Sequence, residues 1–307
     1  MSPRVRGALA LGAVLFALVP LTGDRFWLQF AAHVMITCVF AASLDLLVGY
    51  TGLVSLGHAA FFGLGAYLLA GLTNGLGWSQ LWVTLPITLA GVALAALAIG
   101  WLTLRTSGVY FVMVTLAFTE MLFHLFNEAP GLGGSDGLYL SARPHLGPLD
   151  LKSPTAAYIA IWLCLVLAFL LLQRMTQAPF GRALIGIRSN ETRMRTLGYA
   201  TGRYKLVAFV VAGVIAGLAG YLDASLYGFV NPAMLGWRQS GLVLVIVLLG
   251  GKGTLYGPML GAVLLALLEH HAGRLTEHWN AILGVVAIAA VLFLPSGLAG
   301  LLRGRRG

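Results

Sequence analysis

The sequence predicts an all-α polytopic membrane protein, with about ten transmembrane or partly spanning helices and broken or re-entrant segments among them. Three observations carry this. The mean hydropathy is +0.90. Of the 307 residues 59% are hydrophobic and only 9% charged, whereas a soluble domain carries about a quarter charged residues. Runs such as 81–104 are apolar all round, where a transmembrane β-barrel would alternate apolar and polar residues over short segments. The whole chain, 1–307, reads as one transmembrane domain.

Windows of about 20 apolar residues give the elements in order. The first, 7–22, follows Arg4 and Arg6. It has the length of a signal peptide but lacks small residues in an A-x-A arrangement after it, so it is read as a span. Spans 26–48, 58–73, 81–104, 108–127 and 155–173 follow, then 204–227, 239–251, 255–272 and 279–295. Two places resist a simple helix. Segment 239–251 reaches only about 20 Å of a core about 30 Å thick, and Gly250-Gly251-Lys252-Gly253 and Gly257-Pro258 follow it. The stretch 49–58 is likewise glycine-rich between apolar runs. Irregular backbone at membrane depth persists only where protein or a water-filled cavity satisfies it, and paired interruptions in two halves of a transporter point to its path. A loose repeat, Gly52…Gly57…Gly65-Ala66 against Gly253…Gly257…Gly261-Ala262, supports the pairing weakly, because close helix packing also selects glycine.

The loop 174–205 carries seven of the nineteen Lys+Arg residues. With the N-terminus inside, the inward loops, tail and Lys205 hold fourteen basic residues and the outward side five. That asymmetry places both termini and 174–205 in the cytoplasm and 128–154 outside. It also accounts for the net charge of +9 without nucleic acid; the bilayer is the expected partner. Within the loop, apolar residues recur at 184, 187, 194 and 197, a spacing of short amphipathic helices at the membrane surface. A plain solvated loop is the alternative.

No enzyme constellation is present: no GxxxxGK[ST], HExxH, CxxC or GxSxG. Cys38 and Cys164 sit in apolar runs and read as core residues. Glu269, His270 and His271 are sequence neighbours that diverge around a helix, so no metal or other cofactor is expected. Asp45, Glu120, Asp223 and Glu269 fall in apolar segments, where a charge is costly and by default functional. Asp223 and Glu269 lie near span ends and read as helix-end residues. Asp45, just before the first break, and Glu120, near Thr115, Thr119 and His124, are expected to line a path or brace broken backbone. Tyr50, Ser55 and His58 flank the first break, as Gly253 and Thr254 form the second; they offer polar groups to a solute or caps to helix ends.

These residues together resemble a known family. The run 44–63, with Asp45, Gly49-Tyr50-Thr51-Gly52 and Ser55-Leu56-Gly57-His58, is similar to the second-span motif of branched-chain amino acid ABC importer permeases. The stretches 108–118 and Gly133-Gly134-Ser135-Asp136-Gly137-Leu138 resemble the M-type subunit more than its H-type partner. Residues 181–209 resemble the cytoplasmic coupling loop, and 249–262 with Leu294-Pro295-Ser296-Gly297-Leu298 the C-terminal motifs. The resemblance spans about residues 26–300. It implies the ABC importer permease fold in a bacterial inner membrane, and a chain that hydrolyses no ATP itself. The implied partners are a second, H-type permease, two ABC ATPase subunits and an extracytoplasmic solute-binding protein. It implies ATPase coupling through Gly181, Arg182, Ile187, Arg188, Glu191, Met194, Leu197 and Gly198. The departures are Asp45, where the family often has Asn, and the basic run Thr192-Arg193-Met194-Arg195. The expected cargo is branched-chain amino acids, with urea, short amides or other amino acids as alternatives. An ion-coupled secondary transporter would suit the broken helices but leave the patterned basic loop unexplained.

Overall fold

The structure is a computed structural model and describes residues 12, 16–22, 24–145, 153–275, 279–293 and 297–303. Half of the predicted span 7–22 lies outside the described residues, as do all of 146–152 of the predicted outer loop, 294–296 of the C-terminal motif and 304–307 of the tail.

The chain is helical almost throughout. Helix α1 (Arg25–Asp45) opens at Asp24, whose carboxylate accepts the Phe26 N–H at 2.9 Å, and continues as a wider turn, Leu46–Thr51. Helices α2 (His58–Gly75), α3 (Leu81–Thr103), α4 (Val109–Asn127) and α5 (Pro154–Gln177) follow. Two short helices, α6 (Pro179–Ser189) and α7 (Glu191–Thr196), lead into α8 (Thr201–Tyr227). The rest are α9 (Trp237–Gly250), α10 (Tyr256–Leu275), α11 (Trp279–Phe293) and α12 (Gly297–Arg303). Among the described residues five helices are long and apolar enough to cross a membrane: α1 with its continuation, α3, α4, α5 and α8. The 14 residues of α9 reach about 21 Å, the short span that the sequence predicts.

Helix α1 stands at the centre, almost entirely buried, and touches α5, α8, α9 and α10. Helices α2 and α8 cross with their backbones in contact at Gly65 and Gly217, the small-residue packing that lets helices associate without a hydrophobic drive between them. Helices α3, α4 and α5 leave most of their surface uncovered. Apolar side chains such as Leu94, Met113 and Leu167 are exposed there, as on helices that meet lipid or a partner.

Exposed Trp27, Trp78, Trp82 and Trp237 all lie at one end of the bundle, at or near the starts of α1, α3 and α9. At the other end the Arg105 guanidinium lies 3.9 Å over the Trp101 ring. Tryptophans at both ends match the two interfaces of a bilayer. The tryptophan-rich end carries a small cap: β1 (Leu138–Tyr139) pairs antiparallel with β2 (Phe229–Val230). Asn74, at the end of α2, pins it, donating to the Tyr139 carbonyl at 2.9 Å and accepting the Ser141 N–H at 2.7 Å.

The first break differs from the predicted one. Gly49 and Tyr50 remain helical: the Thr51 hydroxyl donates to the Leu47 carbonyl at 2.6 Å, and the Leu53 N–H closes on the same carbonyl at 3.0 Å. Gly52, left-handed at φ 76°, ends the helix. The irregular segment is therefore 52–57.

Candidate functional site

Three segments far apart in sequence converge at the end of α1. Asp45 is fully buried, and its carboxylate faces backbone rather than open space. Oδ1 accepts the Gly253 N–H at 2.6 Å and Oδ2 the Leu255 N–H at 3.0 Å. Leu255, at φ 57°, is the one left-handed residue other than glycine among the described residues. The Tyr256 N–H bonds back to the Thr254 carbonyl at 2.7 Å, closing a three-residue turn of the strained kind. Hydrogen bonds from these N–H groups to a fixed carboxylate hold that turn in place. Thr254 completes it: its hydroxyl donates to the Gly251 carbonyl at 2.8 Å and accepts the Gly257 N–H at 3.0 Å.

Gly49 lies one turn beyond Asp45 and packs against Gly253. A Cβ on Gly49 would stand 2.6 Å from the Gly253 Cα, a distance no side chain tolerates. The Arg188 guanidinium, from α6, donates to the Gly49 carbonyl through Nη1. Its Cγ lies 3.0 Å from where a Cβ on Gly52 would be. One arginine of the basic loop thus grips the end of α1 where α1 meets the second break.

Residues 52–57 are irregular, with exposure alternating along them: Leu53, Ser55 and Gly57 are buried, and Gly52 and Val54 are exposed. Ser55 is turned inward, accepting the Gly57 N–H at 3.1 Å. The open edge of this segment is therefore Gly52, Val54 and Leu56 rather than Ser55. Among the described residues the N–H groups of Val54, Ser55 and Leu56 find no hydrogen-bond partner. His58 is fully buried; its ring stacks on Phe40 at 5.5 Å, and Nε2 lies 2.8 Å from the Ser43 hydroxyl. That hydroxyl already donates to the Phe40 carbonyl at 2.7 Å, so it accepts from Nε2–H, and His58 is a core residue. Ser240 caps α2 from α9, accepting the Ala59 N–H at 2.9 Å. Tyr50 is half-buried against the core. Glu120 is part-exposed on α4, with His124 of its own helix 4.0 Å away, and the adjacent Thr119 hydroxyl donates to the Leu56 carbonyl of the first break at 3.5 Å.

The basic loop folds as two short helices, of which α6 has a buried apolar face, and its residues divide between inward and outward faces. Gly181, Leu184 and Ile187 are buried. Ile187 is 3% exposed. Gly181 lets α6 start tight against Thr176. Arg182 is exposed and Met194 half-buried, the latter packed on Gly186. Glu191 is a clamp rather than a free surface charge: Oε2 pairs with the Lys205 ammonium, and Oε1 accepts from Thr201 and Arg195, each at 3.1 Å. Burial raises its pKa, but Lys205, with Thr201 and Arg195, outweighs burial and holds the carboxyl below its usual value. Gly198, at φ 87°, closes α7: the Tyr199 N–H reaches the Met194 carbonyl at 3.1 Å and the Gly198 N–H the Arg195 carbonyl at 3.0 Å, a Schellman end. That turn leaves Leu197 65% exposed at the tip.

One cluster escapes the sequence reading. Asp223, read there as a helix-end residue, is 7% exposed, and its Oδ1 lies 3.7 Å from Nδ1 of His33. The pair opens on a cavity of about 190 Å³ beside Asn231, Gln239, Phe40, Phe62 and Met234. His33 lies 190 positions before Asp223, so no local pattern could have joined them. The signal was the cost of an acid in an apolar run. Glu269 and its neighbours gather no metal site among the described residues; His270 packs on Phe26, Trp27 and Phe30 instead.

Comparison with known proteins adds the following. Residues 26–292 match the family described as branched-chain amino acid transport system / permease component. The chain is 31% identical to the high-affinity branched-chain amino acid transport system permease protein LivM of Salmonella typhimurium, and equally to that of Escherichia coli. Each alignment covers 97% of this chain and 76% of the relative. It is 33% identical, over 43% of its length and 42% of the relative's, to the autoinducer 2 import system permease protein LsrC of Photorhabdus laumondii. No solved structure matches.

Proposed function

We propose how this chain works as what it is: a member of the family of permease components of branched-chain amino acid transport systems, the membrane-spanning subunit of an importer whose ATPase and binding-protein partners are separate chains. Its cargo on this reading is branched-chain amino acids, the substrate that the names of its relatives print. The path runs along the open edge of 52–57, against a second permease subunit. The observation that carries this is the pair of N–H groups at Val54 and Leu56, without partners among the described residues, beside an exposed Val54. Lipid cannot satisfy such groups, and irregular backbone at membrane depth survives only against protein or a water-filled cavity. That edge therefore faces water, the partner permease, or both in turn.

The coupling follows from the same contacts. The exposed tip of α7, with Leu197, seats in an ATPase groove on the cytoplasmic side, with Arg182 and Arg193 around it. An apolar anchor within a polar rim is the usual energetic plan of such contacts. Closure of the ATPases on ATP displaces α6 and α7. Arg188 carries the displacement to Gly49, and Asp45 ties Gly49's helix to the strained turn 254–256. Both breaks then move as one unit. The outer cap with β1 and β2 receives the binding protein.

The test is solvent access in the assembled transporter. Cysteines at Val54 and Leu56 should react with a small water-soluble thiol reagent, at a rate that changes when an ATP analogue traps the ATPases. A cysteine at Ser55 should stay protected. Protection at 54 and 56 in every state, in variants that still transport, would place the path elsewhere.

A further inference from the structure

We infer that the cavity between His33 and Asp223 is a station in the permease that holds a single zwitterionic solute on its way in, with Asp223 taking the ammonium group. This inference rests on the amino-acid reading above and deepens it.

Four features of the cavity support it. An acid with 7% exposure within a membrane span is costly and marks a solute or ion route unless something neutralises it. The nearest basic group, His33 Nδ1, is 3.7 Å away, beyond hydrogen-bond length, and that nitrogen has no hydrogen-bond partner among the described residues. The Asp223 carboxylate, which lines the cavity, therefore keeps capacity for a further donor. The lining is two-sided: Asn231 and Gln239 add amide donors and acceptors, while Phe62 and Met234 form an apolar wall. Amide N–H groups suit a carboxylate, Asp223 suits an ammonium, and the wall suits a branched hydrocarbon. The size also selects. About 190 Å³ falls below the roughly 300–1,000 Å³ of pockets for drug-sized ligands, and a cavity of about 150 Å³ holds a benzene-sized molecule.

Position adds direction. The cavity lies toward the capped end, since Asp223 precedes β2 by six residues and Asn231 follows it directly. On its inner side Phe40 and Phe62 meet at 4.7 Å between ring centroids, and the reverse face of Phe40 stacks on His58. The aromatic pair separates the cavity from the first break and forms the floor that a solute must pass.

The experiment uses the complete importer with its binding protein in proteoliposomes, with labelled leucine. Asp223→Asn keeps the shape and removes the charge. Leucine uptake should fall about tenfold or more, the scale of one charge-assisted hydrogen bond, while stimulation of ATP hydrolysis by liganded binding protein is unchanged. Should that variant fail to assemble, a cysteine at Thr37, which lines the same cavity, reports in an otherwise unaltered chain. Leucine should slow its labelling by a small thiol reagent, and 4-methylpentanoate, which lacks the ammonium, should not. Undiminished leucine uptake by Asp223→Asn, or equal protection by the two compounds, would overturn this inference alone. An importer with wild-type residues that takes up no branched-chain amino acid would overturn the substrate reading beneath it, and this inference with it.

Discussion

At the scale of single residues, the chemistry of this permease lies in charges used as fixed points of structure. Asp45 accepts the N–H groups of Gly253 and Leu255, 208 and 210 positions away, the second of them buried in the strained turn. Asp45→Ala leaves both without the carboxylate, at about 1–3 kcal/mol for the buried one at Leu255. The expected outcome is a lower thermal midpoint of the detergent-solubilised complex and loss of uptake. Asp45→Asn, whose amide oxygen can still accept one N–H, should lose less of both. An alanine variant that melts with the wild type would remove Asp45 from this role. Glu191 gives a pH dependence with a definite sign. Its carboxyl is held below the ordinary value by Lys205, Thr201 and Arg195. The stabilisation from its ionised form is thus present above about pH 4.3, the usual value for a glutamate, and is lost as pH falls through the lowered one. A spin label at Thr196 should gain mobility as pH falls through that range. Glu191→Gln should be mobile already at neutral pH and show no further change.

At the scale of elements, α6 and α7 explain why the pattern of the basic loop was readable and its faces were not. Apolar residues at 184, 187, 194 and 197 announced short amphipathic helices, and two short helices form there. The reversal at Asn190, whose side chain accepts the Arg193 N–H at 2.9 Å to start α7, puts Leu184 and Ile187 inside and Leu197 outside. Periodicity identifies an apolar face; it does not say whether the chain's own core or a partner covers it. The two helices also separate the roles of Leu197 and Gly198. Leu197→Asp should leave the fold intact and uncouple ATP hydrolysis from uptake. Gly198→Ala should loosen the tip itself, because a left-handed non-glycine residue costs about 1–2 kcal/mol. Gly198→Asn should restore most of the loss, since asparagine is the usual second choice at that position. Full coupled uptake by Leu197→Asp would rule out docking through the tip. The first break shows a similar limit. Glycines marked its neighbourhood, but the hydroxyl of Thr51, closing on Leu47, carried the helix past Gly49, which composition does not encode.

At the scale of the molecule, what the sequence made legible was whatever depends on local composition: the helical class, most span positions, the short α9 and the basic end. What it hid were pairs brought together from opposite ends of the chain, Asp45 with Gly253 and His33 with Asp223. Such pairing depends on how α1 is surrounded, and no window of residues contains that. The orientation of the whole joins these parts. The Arg-rich α6 and α7 stand at the end of the bundle opposite the strand cap and the exposed Trp27, Trp78, Trp82 and Trp237. Because translocation disfavours basic segments, the cap should face the periplasm. In a chain with Cys38 and Cys164 replaced, a cysteine at the exposed Tyr139 should react with a membrane-impermeant thiol reagent in intact spheroplasts. One at Thr196 should react only after permeabilisation. The His33–Asp223 cavity then opens toward the side from which a binding protein delivers its solute, and Arg188 lies on the side where ATP is hydrolysed. Reversed labelling would invert the molecule and separate both features from the partners they need. This one topological measurement therefore tests the cavity and the coupling reading together, before any transport assay is run.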